Sequence, residues 1–436
     1  MKPRGLLVAV GILAILGVGI FVSNKKQAAK EKASTDTTTK VVSIPDDQFQ
    51  AIDIRKAGAD VVDLAKQNGK WAITGPKPLP ADTDSVSSLV STLSSVSADA
   101  TIEDKAADLA PYGLVHPSLE VQVNRKDGKT VTLQLGDDTP TNSGTYAKVA
   151  GDAHVYTIAS YVKTSIDKKP DDLRDKRLLT FDSDKLTRVE LTAKGPAVEF
   201  GKNGQNEWEI LKPKPLRADG SAVDTLVSKL KDAKMDLSIT PEEAAKKYAA
   251  ATRLASATVT DSGGSQTLEV RKDKDNSYYA KSSVVEGVYK VASDLGDGLN
   301  KGLEDFRNKK IFDFGFSDPT KLEIKGVTYT KNGDKWMSGP KTMDNTTVQN
   351  LIDKLRDLTA IRFADSGGGQ PFFDATVTSN SGKRVEKVTI TRQGDKYFAQ
   401  REGEPSIYEL DGKAAEDLQK SASEIKEAPP APSKKK

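Results

Sequence analysis

One phrase occurs three times in this chain and fixes what it can fold into. "KWAITGPKPLPAD" (70–82) returns as "EWEILKPKPLRAD" (207–219) and, shortened, as "KWMSGPKTMD" (335–344). The three tryptophans of the sequence, Trp71, Trp208 and Trp336, all lie in it. Behind each phrase runs the same apolar stripe: Val86, Leu89, Val90, Leu93, Val96; then Val223, Leu226, Val227, Leu230, Ala233; then Val348, Leu351, Ile352, Leu355, Leu358. That spacing puts one apolar face on an amphipathic helix. Asp82, Asp219 and Asp344 stand four residues before the first valine of each stripe. There a carboxylate can accept from the free N–H groups of the helix start and meet the positive end of its dipole.

"KQNGKW", "GKNGQNEW" and "KNGDKW" precede the helices. Their Asn-Gly pairs supply the positive φ angles of tight hairpins, so each tryptophan is expected on the second strand of a hairpin. The prolines then end the strand and turn the chain toward the helix. Beyond the helix each copy alternates apolar and polar residues: "LEVQVNRKDGKTVTLQLG" and "TYAKVAGDAHVYTI", later "SYYAKSSVVEGVYKV", then "KYFAQREGEPSIYEL". The reading is α+β: three tandem modules, each an antiparallel sheet of hairpins with one main amphipathic helix packed on it. Module-sized spacing fits domains rather than a solenoid.

The joins echo one another as well. "DDLRDKRLLTFDSDKLTRVEL" follows the first copy and "EDFRNKKIFDFGFSDPTKLEI" the second, aligning Arg174 with Arg307. These arginines are expected to pair with carboxylates or carbonyls between modules. The third copy is expected to lack such a join. The boundaries expected are an anchor at 1–23, a flexible stalk at 24–42, modules at 43–182, 183–314 and 315–426, and a disordered basic tail at 427–436.

The anchor is "LLVAVGILAILGVGIFV" (6–22), free of polar side chains. As a helix it would be about 26 Å long, near the thickness of the hydrocarbon core. Lysines directly after Val22 favour an uncleaved transmembrane helix over a signal peptide. The short N-terminal flank puts the body outside the cytoplasm. The net charge of +3 is carried by the ends: residues 1–32 hold six Lys and Arg against one Glu, and the last three residues are lysines. The body is therefore slightly acidic, which excludes an electrostatic footprint for nucleic acid and leaves the basic ends to a membrane surface.

The sequence offers little chemistry. It has no cysteine, which excludes disulfides, thiolate metal sites and cysteine nucleophiles. His116 and His154 recur in no other copy and are read as structural or solvent-exposed; no metal or cofactor is expected. "DSGGSQ" (261–266) and "DSGGGQ" (365–370) lack the ending of a phosphate-binding loop and are read as hairpin turns. Asp82, Asp219 and Asp344 recur, but a capping position accounts for them. Trp71, Trp208 and Trp336 are weak candidates for a ligand grip; their fixed spacing to the helix stripe favours a place in the core.

"DLAPYGLVHP" (108–117), followed by an alternating strand pair, "LGDDTP", "TYAKVAGDAHVYTI" and "DLRDKRLLTFD", resembles the bacterial family called domain of unknown function 4340. The resemblance covers about residues 45–185 and is weaker in the later copies, which lack the Tyr-Gly-Leu-x-x-Pro signature. The second has instead "TPEEAAKKYAAATRLASATVT", opening with a Thr240…Glu243 capping box. The family resemblance implies a membrane-anchored envelope protein of unassigned chemistry, often encoded beside gliding-motility-type ABC transporters. The expected function is a non-enzymatic binding or scaffold protein of the bacterial inner membrane, its body periplasmic, with a protein partner such as an ABC transporter permease. The alternative is a solute- or glycan-binding subunit with pockets between modules. A carboxylate-dependent hydrolase is the third reading, and it would need acids clustered in a cleft.

Overall fold

The computed structural model describes residues 39–59, 61–315 and 319–429. The expected anchor, most of the stalk and most of the basic tail lie outside them. Among the described residues no helix is long and apolar enough to cross a membrane. The chain divides into two compact units, one ending at Lys176 and one beginning at Arg177.

The first unit is built on a nine-stranded antiparallel sheet. The chain enters mid-sheet at Phe49–Lys56 and steps outward through Val62–Gln67, Lys70–Gly75 and Leu79–Pro80. It crosses through the helix Thr83–Ser94 and lays Ala100–Glu103 on the far edge. It then returns beside its first strand and fills the sheet with Leu119–Arg125, Thr130–Asp138, Gly144–Val149 and Val155–Ala159. The helix buries Val86, Leu89, Val90 and Leu93 against Ile52, Ile54, Leu64 and Ile73 of the strands. The expected stalk gives way to structure at Lys40: Lys40–Ser43 pairs with Ser95–Ser97 in a two-stranded ribbon.

The second unit repeats this path twice. Its sheets have eight and nine strands, and both follow the strand order of the first. The helices Gly220–Lys231 and Asn345–Asp357 bury the second and third valine–leucine stripes. The third sheet closes its far edge with Ala360–Ala364, as the first does with Ala100–Glu103. The second does not. There Ser238 N–H folds onto the Asp236 carboxylate just after the bridge from Asp236 to Lys290. The chain turns into the helix Pro241–Ala250, whose Ala244 and Tyr248 form a separate small core with Tyr279 and Val288. Thr240 caps that helix by accepting from Glu243 N–H at 3.2 Å.

Three local expectations are corrected. The turn before Trp208 does not use Asn203-Gly204 in the left-handed region; Asn206 takes it, at φ 64°. Asn203 Oδ1 accepts from the N–H groups of Gln205 and Glu207, both at 2.9 Å, and this organises a wider loop. "DSGGSQ" is a hairpin turn, since Asp261 pairs with Gly264. "DSGGGQ" is not, because the strands flanking it lie apart in the sheet, Ala360–Ala364 at the edge and Gln370–Ser379 in the middle. Two of its glycines serve close packing: a Cβ on Gly367 would fall 2.6 Å from Ile407 Cγ2, and one on Gly369 2.1 Å from the Arg392 carbonyl oxygen.

The third correction concerns the joins. After the first copy Arg174 bridges back to Ala81, and after the second Arg307 bridges back to Ala218. The third copy, expected to lack a join, makes the same bridge from Glu427 to Met343. Each closing segment accepts the backbone N–H of the helix-capping aspartate: Asp82 gives it to Leu173 O at 2.8 Å, Asp219 to Phe306 O at 2.7 Å, Asp344 to Lys426 O at 2.9 Å. Residues 427 and 428, assigned to the tail on sequence, thus belong to the third module's edge; Ala428 N–H also donates to Thr342 O.

Candidate functional site

The tryptophans occupy two kinds of place. Trp208 and Trp336 are buried, at 8% and 4% exposure, within the cores of the second and third sheets. Trp71 only packs against the edge of its core and stays half-buried. Trp208 also donates its indole N–H to Asp224, on the following helix, at 2.8 Å. Lys66 and Lys202 lie over the Trp71 and Trp208 rings, each 5.1 Å from the centroid. Trp208 and Trp336 are too buried to offer an open stacking face.

The recurrent aspartates cap their helices. Asp82 accepts from Ser85 N–H at 2.8 Å, Asp219 from Ala222 N–H at 3.1 Å, and Asp344 from Thr346 N–H at 2.9 Å. Arg174 lies 3.5 Å from Asp171 in its own turn. Arg307 differs from the expectation of an inter-module carboxylate. Its carboxylate partner is Glu304, in its own turn at 2.9 Å, and what it reaches in the third module is the Ser406 hydroxyl at 3.1 Å and the face of Phe363.

Both histidines lie in the first unit. His116 is exposed. His154 Nδ1 lies 2.5 Å from Asp152 Oδ1 beyond a hairpin turn, and this hydrogen bond holds the Asp152 carboxyl below its usual range. Among the described residues no group of three or more His, Cys, Asp or Glu is placed to hold a metal ion.

Acids do meet on the first sheet. Asp53 and Asp63 are cross-strand partners. Burial, then the charge of Asp63, raises the pKa of Asp53. The second sheet has the same pair as Glu190 and Glu199, but there Arg188 and Lys212 hold Glu199 at 2.7 and 2.6 Å. Gly75 takes the place of Lys212 in the first copy. A Cβ on it would fall 2.2 Å from Asp63 Oδ2, so the glycine makes room for the acid and brings no cation.

A concavity lies inside the second unit, where the Trp208 hairpin and the edge strand Leu216–Arg217 face the third module. It is a cleft of about 830 Å³. Its floor is an ion cluster. Arg217 reaches Asp313 at 2.6 Å and the Lys310 carbonyl at 2.9 Å. Arg401 donates to Glu404 at 2.6 Å, Glu386 at 3.1 Å and the Ile311 carbonyl at 2.5 Å. Asp313 N–H donates to Glu386 at 2.7 Å, and Tyr408 O–H to Glu404 at 2.9 Å. Arg384 donates to the Asp313 carbonyl and spans the cleft to Glu207.

Burial raises the pKa of Glu386, against the pull of its hydrogen bond from Asp313 N–H and the charge of Arg401. Burial also raises that of the Tyr408 hydroxyl. Burial would lower that of Arg217, but Asp313, Tyr408 and Glu404 outweigh it and keep the guanidinium charged.

The second module has a neutral version of this floor. Thr180 N–H donates to Gln266 at 2.8 Å, where Asp313 N–H donates to Glu386 in the third. Ser282 donates to the Leu178 carbonyl at 2.5 Å, where Arg401 donates to that of Ile311. One backbone geometry is thus served by Thr, Gln and Ser in one copy and by Asp, Glu and Arg in the next. Sequence reasoning missed the cluster, although a signal existed: Arg217 stands where the first phrase has Pro80, and Asp313 where the first join has Thr180.

No curated protein and no solved structure matches this chain. The family described as Domain of unknown function (DUF4340) matches residues 71–211 and again 208–382. Each match begins on a tryptophan strand and runs past the next tryptophan phrase or into it, so the second copy is covered as the first is. Together the two matches span most of the sequence, and the chain belongs to the DUF4340 family.

Proposed function

We propose that this protein is a non-enzymatic, membrane-tethered binding subunit, held at the bacterial inner membrane by its apolar leader with its body outside the cytoplasm, and that it serves an ABC-type transport system. The observation that carries the reading is the cleft between the second and third sheets. It falls within the size range of small-ligand sites, and the charges on its floor are paired with one another. Asp313, Glu386 and Glu404 on the floor each accept from a guanidinium group, which suits a rigid floor better than proton transfer to a substrate. The cleft also favours the solute-binding form of the reading over a scaffold of convex modules.

Crosslinking and purification from native membranes in mild detergent test this. Co-purification with a transporter permease supports it; recovery of the solitary chain counts against it.

A further inference from the structure

We infer that the cleft between the second and third sheets takes a neutral, hydroxyl-rich ligand of the oligosaccharide class. This rests on the binding reading above and adds the chemistry of what is bound.

Among the described residues, five lining side chains are cationic and six are carboxylates. The floor pairs them internally: Arg217 with Asp313, and Arg401 with Glu386 and Glu404. On the floor a strongly charged ligand would have to break buried pairs to gain a partner, and on the exposed rim Lys202 and Lys383 are balanced by Glu207 and Glu209, so neither sign is in surplus. An apolar ligand meets almost no apolar wall among the described residues, since Trp208 is 8% exposed and Val385 is the one large apolar side chain exposed in the described lining. The same lack of apolar pockets removes the anchors on which peptides are held.

What the cleft presents is hydrogen-bonding capacity of both signs. Gln205, Asn206 and Asn380 stand exposed on its rim, above the carboxylates and guanidinium groups of the walls. A sugar hydroxyl donates and accepts at once, which matches amide, carboxylate and guanidinium groups side by side. Recognition would run through hydroxyls rather than ring stacking, because Lys202 lies over the Trp208 ring.

Asn206 and Asn380 hold left-handed backbone, at φ 64° and 50°. Glycine keeps that conformation and removes only the amide. The test is calorimetric titration of the full chain, in a detergent without a sugar headgroup, with maltohexaose, mannohexaose and chitohexaose, and separately with inorganic phosphate and trilysine. Saturable binding of at least one oligosaccharide is expected, weakened tenfold or more in Asn206→Gly/Asn380→Gly, with no binding of phosphate or trilysine. An unchanged melting temperature of the variant shows that it folds. Saturation by none of the three oligosaccharides, equal binding by the variant, or binding of phosphate or trilysine alone overturns the ligand class. If a permease still co-purifies in that case, the binding-subunit reading stands and only the ligand class falls.

Discussion

Arg217 and Asp313 are 96 positions apart in sequence, and their side chains meet at 2.6 Å on the floor of the cleft. Both are largely shielded, at 16% and 24% side-chain exposure, so each offsets the other's charge where little water reaches. Arg217→Ala would leave Asp313 and Glu404 short of a cation in a poorly solvated place. We expect a loss of about 3 kcal/mol, the scale for breaking a buried pair from one side. Arg217→Met with Asp313→Leu should recover part of it, because neither charge is then left alone. Urea unfolding followed by circular dichroism reads both values, and a single variant as stable as wild type would refute the role given to the pair.

The Glu386 carboxyl carries a pH signature. Its pKa is raised by burial, so its ionised form costs stability above the folded-state value, and the cost disappears below the unfolded-state value. Glu386→Gln copies the neutral Gln266 of the preceding module and cannot titrate. The stability of the variant relative to wild type should therefore fall as pH is lowered from 7 toward about 4.5, the ordinary glutamate range. Melting curves across that range measure the difference, and a constant offset would contradict the assignment.

Asp53 faces Asp63 across two strands with no lysine where the second sheet has Lys212. Asp53→Asn should stabilise the first unit at neutral pH by about 0.5 kcal/mol, the scale of cross-strand pair effects. Destabilisation of similar size would mean that the pair is compensated by something other than its neighbours in the sheet.

The three tryptophans should differ in solution. Trp336→Ala should cost about 3–5 kcal/mol and Trp208→Ala a similar amount, as for large buried aromatics. Trp71→Ala should cost roughly a third of that, because its ring is only half-buried. Fluorescence of chains keeping one tryptophan, the others replaced by Phe, should give blue-shifted emission from Trp336 and red-shifted, more readily quenched emission from Trp71. Equal spectra would show that the burial assigned to them is wrong.

Asp219 does two jobs, capping its helix through the carboxylate and tying the closing segment through its backbone N–H. Asp219→Ala removes only the first and should cost about 1 kcal/mol. Hydrogen exchange would then quicken at Ala222 while the N–H of residue 219 stays protected. Loss of protection at both would show that the cap and the closing bridge form one structure.

What the sequence made legible was local. The caps at Asp82, Asp219 and Asp344 and the stripes behind them follow from spacing along one helix turn after another. The hairpins around Gly69 and Gly128 follow from residues that tolerate positive φ. The closing segment of the third module was hidden because its contacts are backbone bonds: Lys426, Glu427 and Ala428 match none of the residues at the equivalent positions, Leu173, Arg174 and Asp175 or Phe306, Arg307 and Asn308, yet make the same bridge. The ion cluster was hidden for another reason. Charged residues are common here, and no period links Arg217, Asp313, Glu386 and Arg401; only folding brings them together. A residue-by-residue comparison of the copies would have singled them out, since the backbone positions recur while the charges do not. The half-exposure of Trp71 was equally silent, because its phrase matches that of Trp208.

The claim on which the account rests is that the cleft of the second unit is where this protein binds. Site-specific photo-crosslinking in native membranes tests it most directly, with the crosslinking residue at Asn206 on the cleft rim or at Lys413, exposed on the helix Gly412–Ser423 and outside the cleft lining. The account predicts a discrete adduct from position 206 and none from position 413. Adducts from position 413 alone, or from neither position, would contradict it.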